Sequence, residues 1–495
     1  MNFDWNDNIT CRFTGEEFNP DSLDRAKYAE YLTNYLKSYK NESYVFNINS
    51  PWGSGKTYFI KRWANTLAEK HPVIYFNSWK HDSNNEPLVL ILSEIIKGLK
   101  ELISDKSDEV KELRTKTFTV LKRLAPTLSK GLFQKVTGTN FDELVGNSVD
   151  DEEQGGENKI AGEFGAAAAQ ALLDLHEEQA QAIDSLKEQV ELILDKVITD
   201  DGIEHRKRRP MYVFIDELDR CRPTFAIELL EVIKHIFDIP KIIFVIATDT
   251  EQLQHSIKAV YGEGFDAERY LMRFFNRSFS LPDPILALYL KNHRSFKNIA
   301  QRLILTNELN IYEFNQESCI DVVGYIFEEF SIDLRTVDQI VERVNSVLLN
   351  HPKEQGVIIL LFFEALRIKS NSTFQKLLAN EISGSEAVAL INQLVKKNRG
   401  TLSIDISKNI SLTELASQVR NEKDAQARLN AGMSMTQLFI QLIDVIREHS
   451  SKSVIDRSFN SLYFYLLESI RNEEFNDEGR LKKYKNYVEI ASNLY

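Results

Sequence analysis

Apolar positions along the chain follow two periods, and the switches between them mark out the elements. Residues 23–39 carry apolar side chains at helical spacing, with Asp21 or Ser22 available as an N-cap. Tyr44–Ile48 is a short apolar run that predicts a strand, a glycine-rich turn follows, and helical spacing resumes near 56–69. Val73–Phe76 predicts a second strand, and 87–103, rich in Leu and Ile, a helix. Met211–Ile215 and Lys241–Ala247 are continuous apolar runs, the pattern of parallel strands covered on both faces, and residues 224–238 between them predict a helix. Residues 267–278 predict a further helix and Phe279–Leu281 a last edge strand before Pro282 and Pro284. From about 285 to 495 the periodicity is helical.

Strand–helix alternation followed by a helical tail predicts an α/β protein, a three-layer domain with a parallel sheet and then an all-α region. Residues 104–208 interrupt the alternation and contain no convincing strand. The acidic stretch Asp142–Asn158, with Gly155-Gly156, predicts a mobile loop. A long helical stretch follows near 162–198, in which Ile183, Leu186, Val190, Ile193 and Val197 form a heptad stripe. The stripe is either one face of a packed helix or a contact between two chains. The expected organisation is one core in two parts, 1–103 and 209–284, with a helical insertion at 104–208. A helical lid and C-terminal helical domain occupy 285–495.

Composition narrows the class. A chain that is 43% hydrophobic and 27% charged is that of a soluble globular protein. A net charge of −13 argues against a general nucleic-acid binder. The basic run His205–Arg209 is either a solvated connector or a local nucleic-acid contact. Cys11, Cys221 and Cys319 are too far apart in sequence for a disulfide framework or a zinc pattern, and the nine histidines show no metal spacing. The first residues lack a signal-peptide pattern. The most apolar stretch, 357–368, contains Glu364 and Arg367 and falls short of the ~20 residues a membrane span needs. A cytoplasmic protein with no membrane span is expected. The aromatic-rich segment Leu462–Leu467 reads as core or partner interface.

The chemistry concentrates in two places. Residues 50–57 read S-P-W-G-S-G-K-T, against the phosphate-loop consensus G-x-x-x-x-G-K-[ST]. Gly55, Lys56 and Thr57 match, and Ser50 replaces the first glycine. Gly53 and Gly55 let backbone N–H groups converge on phosphate oxygens, with Trp52, Ser54 and Tyr58 completing the lining. The helix that follows presents its N-terminus to the same phosphates. Lys56 would reach the β- and γ-phosphates and the Thr57 hydroxyl would ligate Mg²⁺. The second place is the end of the 211–215 strand, where Asp216-Glu217-Leu218-Asp219-Arg220 follows. Open α/β sheets bind ligands at the carboxyl ends of their strands. Asp216 is the candidate Mg²⁺ ligand and Glu217 the candidate base for an attacking water. Asp219 and Arg220 either form a surface ion pair or orient the site or a neighbouring subunit.

Taken together, P-W-G-S-G-K-T (51–57), F-N-S-W-K (76–80), V-F-I-D-E-L-D-R-C-R-P (213–223), I-F-V-I-A-T-D (243–249) and R-Y-L-M-R-F-F-N-R-S-F-S-L-P (269–282) resemble the KAP family of P-loop NTPases over roughly residues 20–350. The resemblance implies an ASCE-type fold, with ATP and Mg²⁺ as ligands. It implies a polar sensor at the end of the fourth strand, where Thr248 and Asp249 stand, a position that also suits a helix N-cap. It places Arg273, with Arg277 second, where related ATPases carry an arginine finger, and Arg335 where a lid arginine would lie. Many members carry membrane helices in the insertion, and this chain departs from them there. The resemblance also implies a homo-oligomer and protein partners from a multigene antiviral system, with nucleic acid not indicated. Two functions fit: an ATPase switch that drives or times assembly, or a nucleotide-gated scaffold with little turnover. The missing first glycine leans mildly to the second, and intact Lys56, Thr57, Asp216 and Glu217 lean to the first.

Overall fold

The structure is a computed structural model. It describes residues 1–83, 87–102, 207–235, 238–305, 316–351, 357–379, 381–382 and 384–394, together with 181, 184–185, 187–195, 198–199 and 487–488. The chain divides into two compact units, Met1–Pro282 and Asp283–Tyr495.

The first unit opens with a short antiparallel pair, β1 (Ile9–Thr10) and β2 (Glu17–Phe18), and helix α1 (Ala26–Leu36). There follow β3 (Tyr44–Asn49), α2 (Lys56–Leu67), β4 (Val73–Asn77), α3 (Ser78–His81) and α4 (Pro87–Leu102). The two-residue strands β5 (Ile198–Thr199) and β6 (Lys207–Arg208) pair in parallel. The unit then completes its alternation with β7 (Met211–Asp216), α5 (Pro223–His235), β8 (Ile242–Thr248), α6 (Thr250–Tyr261), α7 (Ala267–Leu271) and β9 (Arg277–Ser280). Five strands form one parallel sheet in the order β4-β7-β8-β3-β9. β8 therefore lies between β3, which leads into the glycine turn, and β7, which ends in the carboxylates. That is the ASCE-type three-layer arrangement.

The continuous apolar runs are explained by the pleat. Met211, Val213 and Ile215 face one core together with Ile242, Phe244, Ile246 and the helices α4, α5 and α6. Tyr212, Phe214, Ile243, Val245 and Ala247 face the other, against Phe59, Trp63 and Leu67 of α2 and Leu32 and Leu36 of α1. Successive side chains alternate between two buried layers, so neither set can be polar. Each fully buried side chain of this size contributes roughly 1.5–3 kcal/mol.

Three expectations change at this level. The helix expected over 267–278 stops at Leu271, and Arg277 begins β9. Asn276 causes the change: its backbone N–H and side-chain oxygen bond to the carbonyl and N–H of Val45, both at 2.8 Å, starting the parallel pairing. Residues 198–199 and 207–208 form a strand pair where none was expected. The helix expected from 23 begins at Ala26, and the Asp21 carboxylate accepts from the N–H groups of Leu23, Arg25 and Ala26 without being its N-cap. In the heptad stripe, Val190 and Ile193 are buried in the core of α4 and α5; Ile183, Leu186 and Val197 lie outside the described residues. So do Asp142–Asn158, Leu462–Leu467, His205 and Arg206. Lys207 and Arg209 serve the fold: Lys207 Nζ donates to the carbonyl of Ala68 just after α2, and Arg209 pairs with Asp195 at 3.1 Å.

A buried histidine sits where the chain returns to the core. His71 Nδ1 lies 3.0 and 3.1 Å from the carbonyls of Arg208 and Pro210, so Nδ1 carries the proton. Nε2 is buried with no partner, beside the Tyr212 ring. A second proton there would meet no acceptor, and burial pulls the pKa down to about 4. The folded pKa lies below the unfolded value of 6.5, so the unfolded state binds more protons in between. This contribution is present in full above pH 6.5 and is lost as pH falls toward 4, by about 3 kcal/mol at roughly 1.4 kcal/mol per unit. Urea midpoints from pH 7.5 to 4 should fall more steeply for the wild type than for His71→Gln; parallel curves would count against it.

The second unit is helical among its described residues: α8 (Leu286–Asn292), α9 (Arg294–Leu305), α10 (Gln316–Glu329), α11 (Leu334–Asn350), α12 (Val357–Lys369), α13 (Asn371–Leu378) and α14 (Gly384–Leu394). The apolar stretch at 357–368 belongs to α12. Its Leu360–Phe363 side chains are buried, and its Glu364 pairs with Arg367 at 2.9 Å and Arg343 at 3.6 Å. Among the described residues no helix is long and apolar enough to cross a membrane.

Candidate nucleotide site

The loop after β3 is built by backbone. Ser50 N–H carries the β3–β8 ladder one residue further, to the Thr248 carbonyl at 3.1 Å. The chain turns at Gly53 (φ 77°) and Gly55 (φ 86°), left-handed conformations that cost other residues roughly 1–2 kcal/mol each. α2 then starts at Lys56, and its first N–H groups have no acceptor within the helix. Ser50, standing at the consensus glycine, is not in the left-handed region, and its hydroxyl donates to Ser54 Oγ at 2.6 Å. The serine thus closes the loop on itself without strain. A buried arginine braces the loop from outside: Arg25 donates to the Ser54 carbonyl at 2.7 Å and the Pro282 carbonyl at 3.4 Å. Burial lowers its pKa to about 10, which leaves it charged.

The carboxylates meet the loop at the strand-end edge of the sheet. Asp216 is wholly buried. It accepts from Tyr75 Oη and from the Glu217 N–H, both at 2.9 Å, and the Thr57 hydroxyl lies beside it. Burial pushes its pKa up to about 6, against the pull of those donors. Glu217 adopts φ 61°, a sharp turn out of β7 into the short helical turn Leu218–Arg220. Its Oε2 accepts from Asn77 Nδ2 at 2.8 Å and its Oε1 pairs with Arg220 at 2.9 Å. Arg220 in turn lies over the exposed Trp79 ring, 5.5 Å from its centroid.

Lys56 is held within the site. Its Nζ donates to the Ser50 carbonyl and lies 3.6 Å from Asp219. Burial draws its pKa down, opposed by Asp219, Asp249 and Asp216. Asp219 also accepts from Trp52 Nε1 at 2.5 Å and from the Asp249 N–H at 3.0 Å. One carboxylate oxygen thereby joins the phosphate loop, the acidic strand and the end of β8, a role inside the site and not a surface ion pair. Asp249 caps α6 through Gln252 N–H and holds the Trp52 N–H at 3.1 Å. Thr248, at the end of β8, is fully buried and donates to Asn47 Oδ1 at 2.9 Å. Its proton is committed to the sheet, which speaks against direct contact with a γ-phosphate.

Tyr58, Arg277 and Arg273 stand apart from the loop's contacts. Tyr58 turns its side chain away, its hydroxyl donating to the Asn19 carbonyl at 2.9 Å, and contributes only its N–H to the loop. Arg277 is a strand residue opposite Phe46. Arg273 is exposed in the turn between α7 and β9, at the edge where the parallel strands begin and away from its own loop. Arg335 is exposed on the first turn of α11 in the second unit. Sequence reasoning missed Arg25, Tyr75 and Asn77. Asn77 stood in the F-N-S-W-K segment; Arg25 and Tyr75 carried no local signal.

Fold and loop define the class: a P-loop NTPase fold with its phosphate loop, buried aspartate and adjoining glutamate at one sheet edge. The chain belongs to the KAP family, whose P-loop domain matches residues 25–349. Over 140 residues it is 24% identical to the Phage T7 exclusion protein of Escherichia coli (strain K12). That match covers 28% of this chain and 18% of the relative, less than a fifth of its length.

Proposed function

We propose that this chain binds Mg-ATP and hydrolyses it, and that hydrolysis drives or times a conformational switch or an assembly with partner proteins. The observation that carries the reading is the meeting of Lys56, Thr57, Asp216 and Glu217 at one edge of the sheet, with the Thr57 hydroxyl beside Asp216. The first-turn N–H groups of α2 would receive phosphate oxygens, and Lys56 would exchange Asp219 for the β- and γ-phosphates. A hydroxyl and a buried carboxylate are oxygen donors suited to Mg²⁺, which binds through few protein ligands. The ion supplies neutralisation of phosphate charge when bound. Glu217 takes the proton of the water that attacks the γ-phosphorus, and ADP and phosphate are released. Steady-state phosphate release from purified protein, with and without Mg²⁺, tests this. ATP binding without release would leave the scaffold reading, which the engagement of both Glu217 oxygens favours.

The match to a phage exclusion protein supports a role in antiviral defence; a cytoplasmic location and protein partners belong to the same proposal. A homo-oligomer is part of the proposal: the exposed Arg273 lies in a turn at the far edge from its own loop, so a finger role for it requires a second copy. Arg273→Ala and Lys56→Ala proteins should each be inactive, and mixing them should restore phosphate release. Mixtures that assemble, exchange subunits and stay inactive would remove Arg273 from this role.

A further inference from the structure

We propose that Tyr75 is a positioning residue of the magnesium site, its hydroxyl holding the Asp216 carboxylate in place beside Thr57. The inference rests on the reading that Thr57 and Asp216 hold the ion.

Asp216 has no exposure to solvent, so its orientation is set by protein donors alone. Its Oδ1 takes the Glu217 N–H and its Oδ2 the Tyr75 hydroxyl. The sheet register makes the second bond natural. Tyr75 pairs with Phe214 and Asn77 with Asp216, so Tyr75 and Asp216 are diagonal neighbours on adjacent strands. That spacing is within reach of a long aromatic side chain. Both lie toward α2, the helix that carries Thr57.

The ring is itself fixed. Lys61, one turn after Thr57 on α2, lies 5.7 Å from the Tyr75 centroid and is paired with Glu16 at 2.6 Å. Phe13 packs on the same ring at 6.1 Å. A line of contacts therefore runs from the residues joining β1 and β2, through Lys61 and Tyr75, to Asp216. A phenol is protonated at neutral pH and donates to a carboxylate, which favours the ionised form a metal requires. Outer partners of metal ligands carry 10- to 100-fold in metal affinity.

The test reads metal dependence and not turnover. A fluorescent ATP analogue is bound to full-length wild type, Tyr75→Phe and Asp216→Asn while Mg²⁺ is titrated, and again in EDTA. Tyr75→Phe keeps the ring and its contacts with Phe13 and Lys61. It should raise the Mg²⁺ midpoint by about 10- to 100-fold while leaving analogue affinity in EDTA unchanged. A merely structural role would weaken both. Replacement of Tyr75 by 3-fluorotyrosine, isosteric and a different donor, is the second variant and should also move the midpoint. If Asp216→Asn shifts the midpoint and neither change at Tyr75 does, the proposal is wrong. If Asp216→Asn leaves it unmoved, the metal-site reading fails, and this inference fails with it.

Discussion

Lys56→Ala is expected to lose tight ATP binding while the protein stays folded. Lys56 is nearly buried, and its charge is surrounded by Asp219, Asp249 and Asp216. In that acidic setting a polyphosphate has one buried cation with which to pair in the loop. Truncating one member of a desolvated charge pair costs roughly 2–5 kcal/mol, or about 30- to 5,000-fold in affinity. The fold should survive because Asp219 keeps its bonds to Trp52 and the Asp249 N–H. Affinity for a fluorescent ATP analogue is measured beside circular dichroism. A folded variant with unchanged affinity would remove the phosphate-loop assignment.

Glu217→Gln should keep Mg-ATP binding and slow hydrolysis by about two orders of magnitude or more, the range for losing a positioned base. Glutamine preserves the length and an acceptor oxygen for Asn77 or Arg220 but cannot take a proton from water. The left-handed backbone at position 217 is as accessible to glutamine as to glutamate, so the turn out of β7 should hold. Single-turnover phosphate release separates the two effects, because binding is read in the same experiment. Equal rates in both proteins would move the base elsewhere, with Asp219 next in line.

These expectations draw mainly on what was legible in the sequence. The five-strand core was visible because each central strand buries both faces and so reads as an unbroken apolar run. The two chemical segments were visible because a phosphate loop needs its residues consecutive. What sequence could not supply was partnership at long range. Arg25 reaches Ser54 and Pro282 from a helix start that looks ordinary. Asn276 meets Val45 across 231 positions, and that contact ends one helix and starts β9. Thr248 was expected at a phosphate, yet Asn47, 201 positions away, takes its proton. Asp219 was left between two roles because its partners come from two distant segments, the phosphate loop and the end of β8. The ASCE-type fold came from the family resemblance and not from periodicity, and the strand order is read from the structure.

The anchoring of β4 bears on how this core accepts added sequence. Gly98, near the end of α4, packs so closely on Ile74 that an added Cβ would stand 2.8 Å from its side chain. On the other side of the interruption, the Arg208 N–H bonds to the Lys70 carbonyl at 2.7 Å, just before β4 begins. Departure and return points are thus pinned near the start of one strand, at the edge opposite the phosphate loop. Closing a longer excursion between fixed ends costs little, about 0.6 kcal/mol per doubling of length. The core therefore behaves as a socket: sequence spliced between Leu102 and the helix that carries the core residues Val190 and Ile193 can change in size and chemistry while the strand-end edge keeps its geometry.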